Sequence, residues 1–170
     1  MGLQDDLKEF CTEAQKLGAV DAIVIAPKDV VTGEWVRLKC QFGCGGYGER
    51  LTCPPYSPTP ETTRKLLDGF QHGILVHGNQ WTDIKNIVAK LERTIFLAGY
   101  YKAFAMGSGP CALCEECDTE GSCRHPEEAR PAMEACGIDV YASARKHGFD
   151  IRVLKSHDEK PNYFGLVLVE

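Results

Sequence analysis

The chain of 170 residues has the length of one ordinary domain, and at this size it buries roughly two-thirds of its unfolded surface, so it holds a core without staples. Hydrophobic residues at 44% and charged residues at 25% exclude a disordered tail and a coiled-coil rod. With 19 Lys and Arg against 24 Asp and Glu the net charge is -5, and no local basic stripe offsets it, which argues against nucleic acid as a partner.

The chain begins Met1-Gly2-Leu3-Gln4-Asp5-Asp6-Leu7, with two early acids and no apolar run. This reads as neither a signal peptide nor, with no Ser or Thr at position 6, a myristoylation signal. Leu3, Leu7, Phe10, Ala14 and Leu17 recur at spacings of four and three, which predicts an amphipathic helix stopped by Gly18, with Cys11 a packing thiol beside its stripe. Ala22 to Ala26, closed by Pro27, predicts a strand buried on both faces. From Glu34 to Cys40 apolar and polar residues alternate, so Val36, Leu38 and Cys40 share one face of a strand that turns Cys40 to the buried side. Residues 41–59 form a loop rich in Gly and Pro, and ordered loops of that length are usually functional.

Thr59 caps the next helix, with Pro60 at its first position and Leu66, Leu67 and Phe70 on its core face, and Ile74 to Val76 follows as a strand. Thr82 opens a longer helix with Ile84, Ile87, Val88, Leu91 and Ile95 as its stripe; Gly99 stops it, and Tyr100 to Met106 reads as a strand. Two helix–strand alternations in succession imply crossover units and a partly parallel sheet. A second loop runs from Gly107 to Cys123, Pro126 opens a short helix that Pro131 interrupts, and Asp139 caps a last helix ending near Gly148. Ile151 to Leu154 and Tyr163 to Val169 read as an antiparallel pair. The expected fold is α/β: one domain over residues 1–170, with a mixed parallel/antiparallel sheet, flanking helices and two cysteine-rich metal-binding loops. No stretch approaches the ~20 apolar residues of a membrane span. We therefore expect a soluble cytoplasmic protein, in which cysteines persist as thiols or metal thiolates.

Nine cysteines are the anomaly of the composition, and an odd count leaves a thiol over in any full disulfide scheme. Cys111, Cys114, Cys117 and Cys123 form C-x2-C-x2-C-x5-C. Three thiolates at two-residue gaps on one loop suit adjacent corners of a cubane, as in bacterial ferredoxins. Those ferredoxins place the fourth cysteine after three residues and before proline, so here Cys123 closes either the same cluster or a neighbouring one. Zinc is the rival metal, but it usually takes two cysteine pairs separated by a longer loop. Cys40, Cys44 and Cys53 form a second set, C-x3-C-x8-C-P-P, whose glycines let the backbone wrap closely and turn amides inward. Cys136, before a glycine near a helix boundary, is the candidate eighth ligand. Eight thiolates suit two [4Fe-4S] clusters; without Cys136 one cluster has three protein ligands and an iron open to substrate, water or His125. Arg50, Arg124 and Arg130 either pair with Glu115, Glu116 and Glu127 or orient an anion. No Ser-His-Asp, nucleophile-elbow or His-Glu-x-x-His pattern supports hydrolysis.

Cys53-Pro54-Pro55-Tyr56, Gly109-Pro110-Cys111-x2-Cys114-x2-Cys117, Cys123-Arg124-His125-Pro126, Ala129 to Ala135 and Gly137-Ile138-Asp139-Val140 together resemble the predicted metal-binding proteins of the domain of unknown function 2284 family. The resemblance runs from the first cysteine set to the end of the chain. It implies metal binding at Cys40, Cys44, Cys53, Cys111, Cys114, Cys117 and Cys123, and no particular reaction.

The expected function is an iron-sulfur protein with one or two [4Fe-4S] clusters, acting in electron transfer or redox chemistry with a redox partner protein or a small-molecule ligand. The alternatives are a redox enzyme whose three-cysteine cluster binds a small anionic substrate, and a structural zinc module.

Overall fold

In the computed structural model, which describes residues 2–170 and leaves Met1 of the expected N-terminal segment outside, the first apolar stripe folds as helix α1 (Leu3–Lys16). Leu7, Phe10 and Ala14 are buried, and the chain turns at Gly18 with φ 114°. Strand β1 (Asp21–Ile25) follows, and then α2 (Glu34–Gly43) and α3 (Pro60–Asp68). The Thr59 hydroxyl caps α3 by accepting from the Thr62 amide, as its position before Pro60 predicts. Strand β2 (Gly73–Gly78) leads to α4 (Ile84–Leu97), whose cap is Asp83, one residue beyond the expected Thr82. Strand β3 (Phe104–Met106) is shorter than expected. Helix α5 (Val140–Lys146) is capped by Asp139, and β4 (Tyr163–Leu168) ends the fold.

The sheet has the order β1-β2-β4-β3, and every paired neighbour is antiparallel. This corrects the expected mixed sheet. Because β2 and β3 both run against β4, they point the same way, and α4 crosses between them as the helix–strand alternation implies. However, β4 returns from the end of the chain to fill the gap, which makes a split βαβ unit. Periodicity shows the crossover but not the strand inserted into it.

Four further expectations change. Residues Glu34 to Cys40 form α2 and not a strand. Val36 and Cys40 are four apart, a spacing that puts them on one face in either conformation, while Leu38, which a strand would bury with them, is 56% exposed. Ile151 to Leu154 form no strand, because both edges of β4 are already taken by β2 and β3. After Pro126 there is a single turn, closed by the Ala129 amide on the His125 carbonyl, and the only helical piece before α5 is a 3-10 turn at Glu134–Cys136. Strand β1 is an edge strand with Val24 exposed, not buried on both faces.

The sheet divides the core in two. Ile74, Val76 and Val167 face α1 and α4, where they meet Leu7, Phe10, Ile87, Val88, Leu91 and Ile95. Leu75, Phe164, Leu166 and Leu168 face the other way, onto Leu67 of α3, Val140 and Ala144 of α5, and the turn carrying Met133 and Cys136. Alternation along β2 and β4 thus buries both faces, as near-continuous apolar runs require. Gly165 lets α4 approach the sheet closely: a Cβ there would lie 2.6 Å from Val88 Cγ1 and 2.8 Å from Ile84 Cγ2. Gly165→Ala is expected to lower stability by about 2 kcal/mol through overpacking, read as the midpoint of urea unfolding. An unchanged midpoint would contradict this packing.

Candidate metal centre

Neither residues 44–59 nor residues 107–132 contain a helix or strand, so their cysteines are held by contacts from outside. The first segment is pinned by α2: Arg37 donates to the carbonyls of Pro58 at 2.9 Å and Pro55 at 3.3 Å. Ser57, itself buried, donates to the Ala135 carbonyl, which ties this segment to the 3-10 turn. The peptide bond between Pro54 and Pro55 is cis. The second segment is closed at its base by a short parallel bridge of Gly107 with Ala132, in which the Gly107 amide donates to Pro131 at 2.8 Å and the Met133 amide to Gly107 at 2.9 Å. Above the base, Arg130 makes a two-pronged ion pair with Glu92 of α4 through Nε and Nη2. The same carboxylate accepts from the Ala105 amide of β3, and the Lys85 ammonium donates to the Pro110 carbonyl at 2.9 Å.

Cys111, Cys114, Cys117 and Cys123 line one small cavity. The five-residue gap before Cys123, which left its partner set open, is folded back by a turn in which the Asp118 carboxylate accepts from the Gly121 amide, three residues on, at 2.9 Å. Cys40, Cys44 and Cys53 line a second, larger cavity of about 540 Å3. Cys44 and Cys53 flank Gly46, whose amide donates to the Cys44 sulfur at 3.4 Å; a Cβ on Gly46 would lie within 3.6 Å of both sulfurs. The cavities are back to back, since consecutive residues Thr52 and Cys53 line one each. On the small cavity's side of this wall the Leu51 amide donates to the Cys117 sulfur at 3.4 Å and Arg50 to the Cys114 carbonyl at 2.8 Å. All nine cysteines are free thiols.

Cys136 lines neither cavity. It is 1% exposed among Met133, Ile138 and the inner residues of β4, and burial pushes its thiol up to about 12, with Cys40 near enough to add to the rise. Burial also raises the thiols of Cys40 and Cys53, so a metal that takes them as thiolates must release their protons. Cys11 packs beside the α1 core, its thiol raised to about 11 mainly by burial. Four thiols around one small cavity, with a main-chain N–H aimed at one of them, fit a thiophilic metal centre. Among the described residues, no three cysteine sulfurs lie within 4.8 Å of one another; the group that does meet that spacing is His125, Glu127 and Glu128, two of them exposed. A single tetrahedral zinc would draw its thiolates to about 3.8 Å, given zinc–sulfur bonds of about 2.3 Å.

The basic residues have other partners than those expected. Arg130 pairs with Glu92 and not with Glu127, Arg50 holds a carbonyl, and Arg124 reaches the Glu116 main chain at 3.5 Å. His125 lines the four-cysteine cavity and is absent from the three-cysteine one. Glu134 was not singled out by the sequence, where it sits in an ordinary polar position. It lines the larger cavity, its Oε2 is buried without a hydrogen-bond partner, and burial raises its carboxyl. Arg37 and Glu92 were likewise illegible, because each acts on a residue distant in sequence. No helix among the described residues is long and apolar enough to cross a membrane.

The family of predicted metal-binding proteins DUF2284 matches residues 23–169, a span that takes in every cysteine but Cys11. The chain belongs to this family. No match was found among curated proteins or among solved structures.

The clamp between Arg130 and Glu92 gives a test of how the second segment is held. Arg130→Met leaves Glu92 as an uncompensated charge in a site where both side chains are at most 15% exposed. It is expected to cost roughly 3 kcal/mol in urea unfolding, and the double variant with Glu92→Met to recover most of that. Equal losses from the single and double variants would contradict the pairing.

Proposed function

We propose that this metal-binding protein is a cytoplasmic iron-sulfur protein with two four-iron clusters, acting in electron transfer. The observation that carries the reading is the second cysteine set: four thiols around one cavity, three of them at two-residue gaps on one loop. That spacing suits adjacent corners of a cubane, whereas zinc usually takes two cysteine pairs separated by a longer loop. In this reading Cys111, Cys114, Cys117 and Cys123 hold one cluster, and the Leu51 amide stabilises the charge on the Cys117 sulfur. Cys40, Cys44 and Cys53 hold the other, with the Gly46 amide on Cys44, and Cys136 stays with its packing neighbours. A four-iron cluster supplies one-electron transfer, and the protein sets its potential through burial and amide donors. A relay between the two is supported by the wall that the two cavities share at Thr52 and Cys53. Cys44 is exposed, which gives a redox partner protein access to the first centre.

The redox-enzyme alternative is favoured by one observation, the cavity of about 540 Å3 beside the three-cysteine set. An open fourth position there would face bound substrate.

Cysteine variants test the ligand assignment. Cys114→Ala is expected to lose about half of the bound iron and to unfold at lower temperature, whereas Cys11→Ala keeps both iron and stability. Iron measured per folded chain is the readout, and full iron in Cys114→Ala would refute the assignment. Cys136→Ala keeps its iron under this reading, and loss of iron there would make Cys136 a ligand.

A further inference from the structure

A groove of about 790 Å3 lies between the outer face of α4 and the second cysteine segment, and it meets the cysteines only at Cys111. Some of its charged residues already have partners. Asp83 caps α4, Lys85 holds the Pro110 carbonyl, and Arg130 is paired with Glu92. Four charges remain: Lys90 and Arg93 on the helix, and Glu127 and Glu128 on the segment, all exposed and none in an ion pair among the described residues. Their signs are sorted by wall. Lys90 and Arg93 are three apart on α4, so they share a face. Glu127 and Glu128 are held together, with a carboxylate oxygen of each and a ring nitrogen of His125 all within 4.8 Å of one another. Like charges side by side repel, and in the lone chain neither wall neutralises the other across the groove.

Between the walls the lining is apolar. Ala89 and Phe96 come from α4, and Ala112 and Leu113 from the segment. Phe96 is 53% exposed and Leu113 41%. An apolar centre between charged walls has the anatomy of a protein interface. The charges say what covers it. A uniformly cationic partner would be repelled by Lys90 and Arg93, and a uniformly acidic one by Glu127 and Glu128. The occupant must carry one wall of each sign in the opposite order, and a second copy turned about a twofold axis supplies that arrangement.

We propose that this groove is the interface of a twofold-symmetric dimer, in which Lys90 and Arg93 of each chain face Glu127 and Glu128 of the other while Phe96 and Leu113 pack at the centre. Pairing brings the four-cysteine centres of the two copies towards each other, because Cys111 lines the groove as well. The dimer goes beyond the iron-sulfur reading and does not depend on it, since the residues that make the contact lie outside the proposed ligand set.

The test is sedimentation velocity over a concentration series of protein purified without oxygen, with iron and zinc measured on the same samples. A reversible dimer is expected whatever the metal, and its dissociation constant should rise tenfold or more in salt of about 1 M, where the Debye length falls to about 3 Å. The variant Lys90→Glu with Arg93→Glu is expected to sediment as a monomer, and so is Glu127→Lys with Glu128→Lys. Mixed in equal amounts, these two variants should dimerise again, because each then offers the wall that the other needs. All four side chains are exposed, so the urea midpoint and the metal content of both variants should match those of the unaltered chain. Phe96→Ser, which leaves both walls alone, should weaken the dimer about tenfold through the lost apolar centre. A chain that is monomeric at every concentration, a dimer that survives reversal of a wall or loss of Phe96, or reversed variants that stay apart when mixed would each overturn the proposal.

Discussion

The metal-binding half of this protein depends on the short parallel bridge that joins Gly107 to Ala132. Between those residues the chain makes a long excursion with no helix or strand to order it, and the cost of fixing such a loop falls on its conformational entropy. The bridge closes the loop at the edge of the sheet, immediately after β3. The pair between Arg130 and Glu92 then locks the returning strand of the loop to α4, and the same carboxylate holds the Ala105 amide of β3. One acidic side chain therefore fixes helix, strand and cysteine segment at once. Four cysteines converge on one cavity because the loop's two ends cannot move apart.

The first cysteine segment is ordered differently, by being laid across the second. Arg37 of α2 gathers the carbonyls around Pro55 and Pro58, and Ser57 fastens the segment to the turn before α5. Arg50 and Leu51 then reach over to the main chain of Cys114 and the sulfur of Cys117. Because each segment forms part of the other's wall, loss of metal at one centre should loosen both. The same arrangement leaves the three-cysteine side facing an apolar cavity where Glu134 is the unpaired group, so the two centres have unlike surroundings and need not share a potential.

Much of this was legible in the chain. The stripes of α1 and α4, the caps at Thr59 and Asp139, and the division of the cysteines into a set of three and a set of four all follow from local spacing. Membership in a metal-binding family was legible too, from motifs such as Cys53-Pro54-Pro55 and Gly109-Pro110-Cys111. What failed was of two kinds. The spacing of Val36 and Cys40 fits a strand and a helix equally, so α2 was read with the wrong period. Residues Tyr163 to Val169 carry a strong strand signal, but nothing local says that the strand inserts between β2 and β3 instead of pairing with its predecessor. Glu92, Glu134 and Arg37 were missed for the second reason as well: their roles exist only once distant segments meet.

The central claim is that the cysteines hold iron-sulfur clusters, and the most direct measurement is iron, zinc and acid-labile sulfide per chain on protein purified without oxygen, with a visible spectrum of the same sample. The account predicts about eight irons and eight sulfides per chain, as two four-iron clusters require. Zinc without sulfide would contradict it and leave a structural metal domain.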